Sequence, residues 1–147
     1  MSTVPAALRM VEVSGAEALW LLEGSALGRL VYMQREATVI RPGRHTWEYG
    51  RLVARAPVRA AAIPLTATYQ VDEVRVATGI GWTVTVAGPV EVITDLNEAA
   101  LPHSLKGMGG APIRRTLTGW RYGPHDTIVR IHPQSVCGFR LTRGTAS

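Results

Sequence analysis

The chain of 147 residues has little of what sites are usually built from. Its single cysteine, Cys137, permits no intramolecular disulfide, so a reducing compartment, the cytoplasm, is expected. The same residue reads as a small buried hydrophobe within a strand. The histidines, His45, His103, His125 and His132, fall at no close ligand spacing, and with one thiol they give no expected metal site. There is no Gly-x-Ser-x-Gly elbow. The one Gly-rich stretch, Gly107-Met108-Gly109-Gly110, has no helix signal after it and so does not read as a phosphate loop. Asp72 and Glu73 are adjacent, hence on opposite faces of a strand, and do not form an acid–base pair. No run approaches the roughly 18 apolar residues of a membrane helix, and Met1 to Gly15 lacks the apolar core of a signal peptide. Repeats and linkers are missing too, and the length suits one domain with one core. With 46% hydrophobic residues, a disordered polar chain is excluded.

Lysine is the other scarcity. Sixteen cationic residues face eleven acidic ones, for a net charge of +5, and Lys106 is the only lysine. Arginine suits planar, bidentate grip on phosphate or carboxylate, so phosphorylated ligands and nucleic acid come into view as partners. Codon bias and a solvated basic face are the bland alternatives, and position has to decide. Arg41, Arg44, Arg51, Arg55 and Arg59 cluster on what read as two hairpin-paired strands and the loop after them. They could form a phosphate site. A nucleic-acid groove would need aromatics interleaved among the arginines for stacking; Trp47 and Tyr49 are nearby but flank Glu48 and a turn. His45, inside this cluster, reads first as a strand histidine satisfied by the backbone.

Ser14-Gly15-Ala16-Glu17 has capping-box spacing and predicts a short helix ending near Gly24. Asp95-Leu96-Asn97-Glu98 predicts a second one before Pro102. The rest alternates as strands do: 28–32, 38–42, 46–49, 51–55 after a turn at Gly50, 67–72, 82–87, 89–93, 127–131 and 136–141. Gly88, between two strand-like runs, predicts a bulge or a close backbone approach. Short antiparallel strands with two small helices predict a mostly-β barrel. One domain is expected over residues 1–147, its core about 16–141, with 142–147 fraying.

Several of these strand texts occur in an order that resembles a known family. Gly28-Arg29-Leu30-Val31-Tyr32, Arg41-Pro42 with His45, and Gly50-Arg51-Leu52-Val53 with Arg55 come first. Asp72-Glu73, Gly81-Trp82-Thr83-Val84, Gly88, Thr94-Asp95, and Arg130-Ile131 with Pro133 and Gly138 follow. The ordered set, over roughly residues 16–141, resembles the pyridoxamine 5′-phosphate oxidase-like proteins, the FMN-binding split-barrel family, and in particular its small bacterial members of unassigned substrate.

The resemblance implies a six-stranded antiparallel Greek-key split barrel that forms homodimers, with FMN held at the interface and oxidoreductase chemistry on it. It places Arg41, Pro42, Gly43, Arg44 and His45 on a flavin-cradling strand, Arg55 and Ala56 at the end of the next, and Arg59 in a phosphate-gripping loop. Thr83, next to Trp82, falls where a strand touches the flavin edge, and Trp120 where a tryptophan approaches the partner's cofactor. Ala56 stands where a hydroxyl residue is usual; losing one charge-assisted hydrogen bond costs about 1.5–3 kcal/mol. Gly43 replaces an aliphatic residue, Arg44 stands where Asn is common, and Pro57 stiffens the phosphate loop. Two alternatives follow. The deazaflavin coenzyme F-420 has a longer anionic tail that Arg44 and Arg114-Arg115 could serve. A non-enzymatic split-barrel dimer without flavin would fit Ala56 and Gly43. Nucleic acid remains the weaker reading of the charge.

Overall fold

The computed structural model describes residues 7–94 and 125–144. Strands β1 (Leu8–Val13), β2 (Leu27–Gln34), β3 (Ala37–Glu48), β4 (Arg51–Pro57), β5 (Thr66–Val74), β6 (Gly81–Ile93), β7 (Asp126–Ile131) and β8 (Ser135–Arg143) accompany one helix, α1 (Gly15–Glu23), and a 3-10 turn at Ala60–Ala62. The strands run antiparallel in the order β1-β8-β6-β5-β2-β3-β4-β7, and a further β6–β7 pairing closes six of them into a barrel. The mostly-β, six-stranded antiparallel barrel expected from the sequence is therefore the fold.

Two strands are longer than the sequence suggested, for one reason. β3 runs straight through Pro42, because β4 pairs only with residues 44–48 and nothing described uses the far side of β3 at Pro42. A proline costs least where no ladder bond is needed. β6 runs through Gly88-Pro89 because it changes partner there, from β8 up to Ala87 to β7 from Val90. At the changeover the backbone of His132 and Gln134 folds over β6: His132 N donates to Pro89 O (2.9 Å) and Gln134 N to Ala87 O (2.8 Å). A methyl at Gly88 would overlap the His132 carbonyl oxygen, which is the close approach the sequence predicted.

α1 begins as predicted, with Ser14 Oγ accepting from Glu17 N (3.1 Å), and ends at Gly24. The Glu17 carboxylate does not close the capping box; it pairs with Arg140 on β8 (2.8 Å). The second predicted helix, at Asp95, lies outside the described residues. β1 was not anticipated, and with Thr142 and Arg143 it extends the ordered unit past both expected ends of the core. Most of its side chains are exposed on both faces, so no apolar alternation announces it. Cys137 is exposed rather than buried. It lies opposite Thr85 on the outer side of the sheet, whereas its neighbour Gly138 packs beneath Ala18 of α1.

The core holds one polar device. Gly28 and Gly43 are cross-strand partners, and the Tyr69 ring lies on both: an added Cβ would sit 2.5 Å from it at Gly28 and 3.0 Å at Gly43. The fully buried Tyr69 reaches His45 Nδ1 at 2.9 Å, and His45 Nε2 reaches Leu22 O of α1 at 3.2 Å. A carbonyl oxygen only accepts, so Nε2 carries the proton and the Tyr69 hydroxyl donates to Nδ1. His45 N also donates to Ala26 O (2.9 Å). Burial lowers the His45 pKa against the weaker opposing effect of the Leu22 carbonyl.

Gly28→Val is expected to destabilise the fold by about 1–3 kcal/mol, because Tyr69 has nowhere to move; an unchanged urea midpoint would contradict this packing. His45 gives a pH signature. Below about pH 6.5 the unfolded chain takes up a proton that the folded chain resists, so the stability associated with neutral His45 is complete above that pH and is lost as the pH falls below it. The stability difference between wild type and His45→Gln should then shrink from pH 7.5 to pH 5.5 in denaturant titrations. A constant difference would exclude the neutral buried imidazole.

Candidate functional site

Alternation along the strands divides the site residues read from the sequence into two sets. Gly43, His45, Ala56 and Trp82 face inward. Ala56 and Trp82 belong to the core cluster, His45 is 1% exposed with both ring nitrogens bonded, and Gly43 makes room for Tyr69. Pro42, Arg44, Arg55 and Thr83 alternate with them and face outward. One ligand lying on the barrel's outer face therefore meets Thr83 but not Trp82, and Arg44 but not His45. The two departures that spoke for a chain without flavin, Ala56 and Gly43, both serve the core, so they bear on packing.

On the outer face Arg44 and Arg55 stand directly opposite each other on β3 and β4. Like charges so placed repel, and one of them is compensated. Arg55, 5% exposed, pairs through Nε with Asp126 Oδ2 at 3.1 Å. Asp126 arrives there because β7 pairs with β4 with Pro57 opposite Asp126. The Arg55–Asp126 contact is a charge pairing rather than an aligned hydrogen bond. Arg44 has no such carboxylate among the described residues, and its buried Nε has no acceptor there. A buried donor without an acceptor is costly, and with Arg55 already neutralised the pair has an unmatched positive charge and an unmatched donor. The site is shaped for an anionic or strongly accepting ligand.

Thr83, further round the same face, belongs to a polar network. Its hydroxyl donates to Asp72 Oδ1 (2.7 Å), Gln70 Nε2 donates to the same oxygen (3.1 Å), and Arg29 holds the other carboxylate oxygen in an ion pair. Gln70 Nε2 also reaches the Thr83 oxygen at 3.5 Å, so with its proton committed to Asp72 the hydroxyl keeps one lone pair to accept from a ligand N–H.

Arg41 and Arg59 meet elsewhere, at the barrel mouth. With Gln34 and His125 they border a cleft of about 250 Å³ floored by Tyr32 and Val58. A third place of interest is a cavity of about 520 Å³ beside Trp47 and Glu48. Burial raises the Glu48 carboxyl to about 7, and its Oε2 is buried with no hydrogen-bond partner among the described residues. Trp120 and Arg114-Arg115 lie outside the described residues.

Sequence reasoning passed over Asp126, Gln70 and Arg29 as site residues. Asp126 follows an ordinary loop text, and only the β4–β7 register brings it to Arg55. Nothing in the local text of 28–32 marks Arg29, and only its register with Gln70 brings it to Asp72.

The fold so described is a split barrel, and the structures it resembles are of that kind. A protein of Corynebacterium glutamicum provisionally assigned as a pyridoxamine 5′-phosphate oxidase superposes with TM-score 0.64 at 22% identity, over 92% of this chain and 100% of that one. An FAD-binding protein of Mesorhizobium loti gives 0.67 at 18% identity, over 93% of this chain and 100% of the other, and an FAD-binding protein of Mycobacterium smegmatis gives 0.57 at 19%, over 91% and 98%. By sequence the chain is 27% identical over 144 residues to an uncharacterised protein of Mycobacterium tuberculosis, covering 92% of this chain and 88% of the relative. No protein-family model matches the chain. The chain thus has the fold of the pyridoxamine 5′-phosphate oxidase-like and flavin-binding split-barrel proteins, in keeping with the resemblance read from its strands.

Asp126→Asn removes the carboxylate paired with the buried Arg55 guanidinium and should lower stability by about 3–5 kcal/mol. A loss under about 1 kcal/mol in chemical denaturation would mean that the pair is not buried as described.

Proposed function

We propose that the protein binds a flavin nucleotide, FMN, on the outer face of its barrel where two copies of the chain meet, and acts as a flavin-dependent oxidoreductase in the cytoplasm. The observation that carries this reading is the buried, acceptor-less Nε of Arg44 beside the Arg55–Asp126 pair. It is an anion-seeking donor on the same outer face as the Thr83 network, in a fold shared with proteins named as FAD-binding.

The residues fit the group in kind. Arg44 would meet a phosphate or a ring carbonyl, Thr83 would accept from a ring N–H, and Asp72 would hold Thr83 in that role. Arg59 and Arg41 at the mouth offer two further guanidiniums for an anionic tail. The flavin, once bound, supplies hydride and electron transfer, while the protein supplies orientation and electrostatics. The lack of a paired acid and base in the sequence is then no obstacle. A second copy is the natural cover for this face, where Leu27, Met33 and Ile40 are exposed apolar residues.

The test is a titration of the purified protein with FMN, FAD and coenzyme F-420 in parallel, followed by the visible spectrum and flavin fluorescence, with sedimentation to give the assembly. FMN is expected to bind saturably to a dimer. Arg44→Gln should weaken it about tenfold or more without lowering the melting temperature of the unloaded protein. Tighter binding of F-420 than of FMN would assign the deazaflavin reading. A colourless protein that quenches none of the three would leave a split-barrel dimer with another ligand or none.

A further inference from the structure

Opposite the described face, at the C-terminal end of α1, lies a cavity of about 420 Å³ lined by Trp20, Leu21, Glu23, Gly24, Glu73 and Trp82. It is built from two indole–carboxylate pairs, one on α1 and one across β5 and β6. Trp20 and Glu23 are three residues apart on α1 and so share a side of the helix. Glu73 and Trp82 are direct cross-strand partners of β5 and β6. We propose that this cavity binds a small organic cation, an amine or quaternary ammonium with an apolar body, between the two indoles and the two carboxylates.

Three features of the site point to a cation. First, in a chain of net charge +5, among the described residues no arginine or lysine lines this cavity, and neither Glu23 nor Glu73 has an ion-pair partner. Arg140, opposite Trp82 on β8, is tied to Glu17 in the first turn of the helix. Arg75 borders an adjoining cavity, which shares Glu73 and Trp82. Second, the last turn of α1 holds no basic residue. Glu23 there adds negative charge to the negative end of the helix dipole, the opposite of what helix stability favours; a bound cation relieves both. Third, Trp20 is 68% exposed while Trp82 across the cavity is 8% exposed. That leaves one indole free to close over a ligand and the other held by the core, and indole faces attract cations. The volume is within the usual range for small-molecule sites, roughly 300–1,000 Å³. Glu23 and Gly24 also border the cavity beside Glu48 and Trp47.

This site is independent of the flavin reading, since no residue assigned to the outer face or the mouth takes part. The test is calorimetric titration of the full chain with choline and with its neutral isostere 3,3-dimethylbutanol, repeated with Trp20→Ala and Glu73→Gln. Choline should bind saturably and at least about tenfold tighter than the alcohol, and each substitution should weaken it about five- to tenfold. Trp20 is mostly exposed, so Trp20→Ala should keep the wild-type melting temperature, and FMN titration of both variants should match wild type. No saturable heat with choline, equal affinity for the two probes, or unchanged choline affinity in both variants would each overturn the proposal.

Discussion

The Tyr69 side chain is the constraint on which the rest of the structure turns. Its ring fills the space left by two facing glycines, and its hydroxyl donates to Nδ1 of His45, whose other nitrogen, protonated because it faces the Leu22 carbonyl, holds the last turn of α1. One buried hydrogen-bond relay thus ties strands β3 and β5 to the helix, with β2 packed against the Tyr69 ring at Gly28. Substituting either glycine displaces the ring, and moving the ring releases the helix end. A polar relay of this kind sets one arrangement among the many that an apolar interior would accept, because each of its donors and acceptors is costly to leave unmet.

The two candidate binding regions follow from that arrangement. The helix end that His45 holds is where Trp20 and Glu23 come to face Glu73 and Trp82. On the outer side, the same strands present the residues that alternate with the relay: Arg44 next to His45, and Thr83 next to Trp82. The inner set is spoken for by packing, which leaves the outer set to meet ligands. Net charge is sorted in the same way. Arg29, Arg55, Arg130 and Arg140 are matched by Asp72, Asp126, Glu91 and Glu17, so the arginine excess acts through a few positions, Arg44 foremost.

Much of the architecture was legible in the strand texts. Gly88 announced the crossing of the β7–β8 turn over β6, and Ser14 with Gly24 bounded the helix. What escaped reading did so for definite reasons. β1 has no buried face and therefore no alternation to see. Cys137 sits in a strand whose other side meets the helix, and nothing local says which side a thiol takes. Pro42 and Pro89 looked like breaks because a proline is harmless in a strand only where the partner strand is missing or changing, which depends on the register. The residues read as a site come from both faces of the sheet for the same reason: adjacent numbers in a strand are opposite directions in space.

The sequence by itself determined the fold class, one helix with its cap, the arginine-rich composition and the absence of metal-type spacings, because these depend on local periodicity and residue chemistry. Only the tertiary structure decided that the buried Nε of Arg44 has no acceptor among the described residues, that His45 is a neutral core residue, and that two tryptophans and two glutamates share a cavity. Each of those is a fact of register and packing between segments tens of residues apart. Burial is what gives each its energetic weight, since an unmet donor, a proton or a pair of carboxylates matters most where water cannot reach to screen it.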